Sequence, residues 1–345
     1  MNMNITFSIV ILTKNSVGIV NNLVDALLSQ DFAHPYEVIF MDNSSTDGTV
    51  DYLTQTAFKH KKIIHVPEGE FSHSGTRMRG AREASGTYLM FFTDDIIPVE
   101  TNFLTALAEP LLTHKAGATY GVCQVNPEKC DPIDAYIHNN WWENKYDVIE
   151  PLSEFYWNLL TPEQRRQLCN FDNCASCIRR DLLLSLAFPP VPYGEDMLFA
   201  KKLILNGHPI AISKGAKFHH WHKVSFKYMM QRMCIDQHLS IPEFGIYYIR
   251  RKLGVIKAIV KRTLHRTYVA FFKLKIPIHQ KFYWSFYNAK TLTADFIGKY
   301  MGVLDEHSVQ GFSPINKMLL KKKQAIVDRI YKKSIIRPNR SHPPT

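Results

Sequence analysis

No uncharged apolar run in these 345 residues approaches the ~18 needed to cross a membrane. Six cysteines are too few for a disulfide framework in a chain of this length. No basic residue precedes the apolar stretch Ile5–Leu12, and no small-residue cleavage site follows it, so a secretory leader is not expected. Together these absences point to a reducing, cytosolic setting. Glycine (16) and proline (18) are at ordinary levels, which excludes collagen-like and low-complexity chains. Three chemical signatures are also missing. No G-x-G-x-x-G follows the first predicted strand, which disfavours a nicotinamide dehydrogenase, and there is no G-x-S-x-G elbow. Gly75-Thr-Arg-Met-Arg-Gly80 has the glycine spacing of a P-loop but lacks its Lys-Ser/Thr ending.

Hydrophobic residues make up 46% and charged residues 21%, enough to build a sizeable core. The net charge of +11 is unevenly placed. Arg250 to Thr345 holds 21 Lys and Arg against 4 Asp and Glu, a net +17, whereas residues 1–249 are net −6. A basic region on an acidic body suits an anionic partner, either nucleic acid or a membrane surface.

Apolar runs at Phe7–Leu12, Tyr36–Met41, Ile63–Val66 and Tyr88–Phe92 read as strands. They alternate with helices predicted over Val17–Gln30, through Tyr52, over Thr76–Ser85 and over Thr101–Leu112. Such alternation predicts an α/β fold with a largely parallel sheet covered on both faces. Residues 126–172 are less regular. Strands are expected at Asn173–Arg180 and Pro209–Ser213, and a helix at Glu195–Leu205. From about Phe226 the pattern is helical and basic, and Ser334–Thr345 is expected to be a mobile tail.

Four clusters carry chemistry. Asp42 and the pair Asp94-Asp95 end predicted strands, where open α/β sheets bind ligands. Adjacent carboxylates repel unless a cation joins them, so Asp94-Asp95 suits a divalent ion holding a diphosphate. Asp47 reads as a turn and cap residue. Glu195-Asp196 follows the rigid Phe188-Pro-Pro-Val-Pro-Tyr-Gly194, and reads equally as a general base or as helix capping. His219-His220-Trp-His222 offers imidazoles, with His220 and His222 on one face of a strand. Cys169-x4-Cys174-x2-Cys177 has part of an iron–sulfur spacing, but no suitable fourth cysteine, and a structural role is preferred. In the basic region, Ile249, Leu253, Ile256, Val260 and Leu264 share a helical face among Lys and Arg. That face fits an interfacial helix on anionic lipid, or equally a helix packed on the body. No nucleic-acid module is present, so nucleic acid ranks last.

In order along the chain, Ser8-Ile-Val-Ile-Leu-Thr-Lys-Asn15, Asp42-Asn-Ser-Ser-Thr-Asp-Gly-Thr49, Gly75-Thr-Arg77, Gly86 to Pro98, Glu195-Asp196 and His220-Trp-His222 resemble glycosyltransferase family 2. Those are inverting enzymes of the GT-A fold that use nucleotide-sugars. The resemblance covers roughly residues 5–240. Within the family the chain is most similar to bacterial rhamnosyltransferases of O-antigen or capsule synthesis. That likeness lies in Phe71-Ser-His-Ser-Gly-Thr-Arg77, in Asn173 with Arg179-Arg180, and in the His-x-His before Ser225.

The resemblance implies a mixed sheet with helices on both faces over residues 1–240, a basic, mainly α-helical extension over 241–333, and the tail 334–345. It places Asp42 on the nucleotide base, with Thr13 and Asn15 in the same donor site, Arg77 near the nucleotide and Asp94 on ribose or sugar. Asp95 matches the last acid of the D-x-D motif and would bind Mg²⁺ or Mn²⁺, joined by His220 and His222. Thr93 replaces the first acid of that motif. Asp196 matches the catalytic base, with Glu195 beside it. Trp141, Trp142 and Trp157 either stack on acceptor sugars or pack in the structure. The implied reaction moves rhamnose from dTDP-rhamnose to a lipid-linked glycan at the inner face of the cell membrane. The rivals are a UDP- or GDP-sugar donor on the same fold, or a catalytically weak glycan- or membrane-binding scaffold.

Overall fold

The computed structural model describes residues 5–142, 147–305 and 314–334. The expected mobile tail, apart from Ser334, lies outside the described residues. Phe7-Ser-Ile-Val-Ile-Leu-Thr13 has no charge and no side-chain alternation, the pattern of a strand buried on both faces, and it forms the fully buried β1 (Phe7–Thr13). Then come α1 (Val20–Leu28), β2 (Tyr36–Asp42), α2 (Thr49–Gln55), β3 (Lys61–His65), α3 (His73–Glu83) and β4 (Tyr88–Thr93). Strands β3, β2, β1 and β4 lie side by side and all parallel, so their carboxyl ends share one edge.

The sheet then turns antiparallel. The chain continues through β5 (Ile97–Pro98), α4 (Phe103–Leu112), β6 (Ala118–Gln124), α5 (Pro132–Trp142), β7 (Val148–Ile149), α6 (Glu154–Leu159), α7 (Pro162–Leu168), β8 (Ala175–Arg179), α8 (Arg180–Leu186), α9 (Glu195–Leu205) and β9 (Ile210–His219). The strand order is β3-β2-β1-β4-β8-β6-β9-β5, with β7 also on β9. β8 runs antiparallel to both β4 and β6, so the sheet is mixed, as the resemblance implies.

The structure adds β6, extends β9 and decides between the two alternatives for Trp157. β6 was not foreseen in a stretch of small and polar residues. β9 does not stop at Ser213: a register shift against Gly121 and Val122 absorbs Lys214–Ala216, and pairing resumes through His219. Trp157 sits in the main core and is unavailable for stacking on a sugar. The side chains of Trp141 and Trp142 lie outside the described residues.

The basic region folds onto the body as α10 (Phe226–Phe244), α11 (Lys252–Tyr268), a π-helical turn (Val269–Lys273), α12 (Ile278–Val303) and α13 (Pro314–Ser334). The boundary expected at residue 240 falls inside α10. That helix packs closely on α12: a methyl group at Gly302 would sit 2.6 Å from the Cys234 carbonyl oxygen. A buried polar clamp ties the extension to α5. Arg266 of α11 donates to Asp134 at 3.1 Å and to Asn288 of α12, whose amide donates to Asp131 at 2.7 Å. Asp131 and Asn288 are both buried.

Candidate active site

Thr13 and Asp42 are register partners at the ends of β1 and β2. The Thr13 hydroxyl donates to Asp42 Oδ1 at 3.1 Å, and Ser45 adds its hydroxyl at 2.6 Å and its N–H to Oδ2 at 3.0 Å. Asp42 is thus a rigid, buried acceptor. Asn15 shapes the neighbouring loop: its side-chain oxygen accepts from the Thr46 N–H at 2.8 Å, and its backbone adopts φ of 48°. Asp47 accepts from the N–H groups of Val17 and Thr49, which agrees with a cap. Asp94 lies just beyond β4, where burial, with the charge of Asp95, raises its carboxyl above the usual range.

The β5–β9 pairing builds the next cluster. Ile97 opposes His219 in antiparallel register, so the residues before Ile97 face those after His219. Asp95 therefore meets His222 at 2.6 Å and His220 at 3.4 Å. The ladder ends at His219, so His220 and His222 lie past the strand and not within it, yet their Nε2 atoms come within 3.2 Å. Burial opposes charge on Asp95, but His220, with His222, holds its carboxyl well below the usual range. His220 is raised in return: burial works against its charge and Asp95 outweighs that.

One ligand atom from each of these three residues lies within 4.8 Å of the others, a spacing fit for a metal ion. Asp95 Oδ1 is also buried without a hydrogen-bond partner. An orphaned carboxylate oxygen beside two imidazoles is a donor set that fits a divalent cation.

Glu195 and Asp196 open α9, where Gly194 takes φ of 75° and a side chain would strike Met197. The structure separates the two acids. Glu195 is buried against Arg77 at 2.5 Å, and Arg77 also donates to the Asn173 carbonyl. Two nitrogens of Arg77 thereby tie α3 to α9 and to the loop before β8, while its Nε is buried without a partner. Asp196 accepts from the Met197 N–H at 2.8 Å. Burial, then the charges of Glu195 and Asp172, push its carboxyl up to about 7. A carboxylate poised there can take a proton near neutral pH.

Asp172 escaped the sequence reading. Its charge acts on both Asp196 and His220, so it lies within electrostatic reach of each. The signal was a lone Asp-Asn before a strand, too common to single out. Also missed was a cavity of about 780 Å³ beside His220 and His222. Its walls come from β6, α5, α10, α11 and α12, and include Lys223, Arg232, Tyr287 and Asn288. The cysteines of the 169–177 spacing are free, and burial raises all three thiols, which suits structural residues.

The sequence model of glycosyl transferase family 2 matches residues 8–183. The chain is similar to the O-antigen chain rhamnosyltransferase RfbN of Salmonella typhimurium, at 24% identity over 232 residues, covering 65% of this chain and 69% of that protein. It is also similar to the O-antigen chain rhamnosyltransferase WbaN of Salmonella anatum, at 26% over 201 residues, covering 57% and 60%. Among solved structures, S. aureus TarS 1-349 in complex with UDP-GlcNAc is 18% identical with a TM-score of 0.49, covering 96% of this chain and 90% of that one. The family match enters at β1, takes in Thr13, Asp42, Arg77, Asp94 and Asp95, and ends in α8, just over half of the chain. By that measure the chain belongs to glycosyl transferase family 2 and is a glycosyltransferase.

Proposed function

We propose that the enzyme moves rhamnose from dTDP-rhamnose to a hydroxyl of a lipid-linked glycan, inverting the anomeric centre, in surface-polysaccharide assembly at the inner face of the cell membrane. The observation that carries this reading is the trio Asp95, His220 and His222 beyond the strand ends, together with Asp196, a carboxyl raised to about 7 at the start of α9. The sugar class and the kind of acceptor follow the two O-antigen rhamnosyltransferases.

In this reading Thr13 and Asp42 hold the base of the nucleotide, and Asp94 meets the ribose or sugar. The acceptor enters the cavity beside His222. Its hydroxyl oxygen attacks the anomeric carbon while Asp196 takes the proton. The bond from that carbon to the diphosphate breaks, and its electron pair leaves with the nucleoside diphosphate. Asp95, His220 and His222 would hold Mg²⁺ or Mn²⁺, which when bound supplies positive charge to the leaving diphosphate. Two imidazoles favour Mn²⁺ over the harder Mg²⁺. Glu195 and Arg77 position the base.

The test is a screen of dTDP-rhamnose, UDP-sugars and GDP-sugars with a lipid-linked acceptor extract, following nucleoside diphosphate release and the anomeric configuration of the product. Release from dTDP-rhamnose with inversion is expected. Release from another donor alone would replace the sugar, and retention of configuration would overturn the mechanism. Removing divalent cations with a chelator is expected to abolish transfer, with Mn²⁺ restoring it. His222→Ala should raise the Mn²⁺ concentration for half-maximal rate by roughly tenfold or more. Indifference of the rate to chelator and to His222→Ala would take the cation out of the reading.

A further inference from the structure

The apolar stripe of α11 does not face the protein. Leu253 is 61% exposed, Ile256 59% and Leu264 65%, with Val260 exposed between them. The stripe runs on through Tyr268 to Phe272 at 75%, and across to Phe282 and Phe286 at the start of α12. A helix packed on a body buries such a stripe; of α11 it is Val255 that is buried. Contiguous exposed apolar surface of this kind marks an interaction face.

Charge narrows what covers it. Residues 250–294 contain eleven Lys and Arg and no Asp or Glu. Lys257, Lys261, Arg262, Lys273 and Lys275 are all exposed around the stripe. A second copy of this chain would bring the same positive charge against it. An anionic bilayer complements both features, taking the apolar side chains below its headgroups and the cations at its phosphates. Among the described residues no helix is long and apolar enough to cross a membrane, so the contact is with the surface.

The face also borders the cavity. Exposed Tyr283 receives a hydrogen bond from Lys223 on the cavity wall, and the hydroxyl of Tyr287, in the same wall, accepts from the Val224 N–H at 2.9 Å. We propose that the exposed apolar face of α11, the π-helical turn and the start of α12 docks on an anionic lipid bilayer, and that this turns the cavity mouth toward the headgroups. An amphiphilic acceptor can then keep its tail in the bilayer while its polar end enters the cavity, a consequence that rests on the proposed lipid-linked acceptor.

The test is co-sedimentation of the full chain with vesicles of phosphatidylglycerol mixed with phosphatidylcholine, and of phosphatidylcholine alone. Wild type is expected to bind the mixed vesicles, less tightly as salt rises, and to leave phosphatidylcholine unbound. Ile256→Glu with Leu264→Glu should weaken binding at least tenfold, since two apolar side chains leave the lipid, with thermal unfolding unchanged. Equal binding of the double variant, equal binding to neutral vesicles, or a dimer abolished by these substitutions without vesicle binding would each overturn the docking face. Nucleoside diphosphate release from the donor sugars is read in parallel. Vesicle binding without release from any donor leaves the face standing and sinks the proposed reaction. Release without vesicle binding does the reverse.

Discussion

Asp196→Asn is expected to lower kcat for transfer by about 10²–10⁴-fold, the usual share of a positioned general base. Asn keeps the shape of the side chain and its bond from the Met197 N–H, so donor binding should change little. The wild-type rate should rise with pH up to about 7 and then level off, because the base works only without its proton. Stability moves the other way. The folded state holds the Asp196 proton up to about pH 7, whereas the unfolded chain releases it near 4. Between those values the unfolded state binds fewer protons, so this group's contribution falls as pH rises. Asn carries no such penalty, and above pH 7 the variant should be more stable by about 1–3 kcal/mol. Rate against pH and denaturant midpoints at pH 5 and pH 8 check both halves. A variant that is active, or a flat pH profile, would remove Asp196 from the chemistry.

Arg77→Met should cost about 3–5 kcal/mol of stability, the range for breaking a buried ion pair from one side. Both partners are buried, and Glu195 would be left as an uncompensated charge next to Asp196. Arg77→Met combined with Glu195→Gln should recover much of the loss, since no unpaired charge then remains. A second readout separates positioning from packing. Arg77 lowers the Asp196 carboxyl, so its loss should move the rise of the pH–rate profile to higher pH. A destabilised variant with an unmoved profile would confine Arg77 to the scaffold. Urea denaturation and the pH profile of residual activity decide between these.

The first half of the fold was legible because parallel strands covered on both faces leave near-continuous apolar runs, broken here by Ser8 and Glu37, which bond to each other, and each run is ended by a polar turn. Phe7–Leu12, Tyr36–Met41 and Tyr88–Phe92 are such runs, and Asp42 and Asp95 fall within three residues of their ends. β6 was not legible. Ala118-Thr-Tyr-Gly-Val-Cys-Gln owes its burial to β8 and β9, which are distant in sequence. The pairing of Arg77 with Glu195 spans 118 residues and leaves no local mark. His220 and His222 were singled out, but their approach to Asp95 depends on the two-residue strand β5, too short to show in any pattern. On α11 the spacing revealed an apolar face but not its direction, because one periodicity serves a core and a lipid surface alike.

The cavity is walled mainly by residues beyond 183, where the family match ends. Lys223, Tyr228, Arg232, Tyr287, Thr291 and Lys299 could all be exchanged without touching Thr13, Asp42, Asp95 or Asp196. In the proposed reaction, where the acceptor enters this cavity, exchange of residues 223–299 between relatives would graft a new recipient onto an unchanged donor site. The buried clamp of Arg266, Asn288, Asp131 and Asp134 sets the condition for such a graft: Asp131 and α5 of the source protein must travel with it. In a lineage that diversifies its surface sugars, innovation would then gather in the C-terminal helices while the strand-end carboxylates stand still.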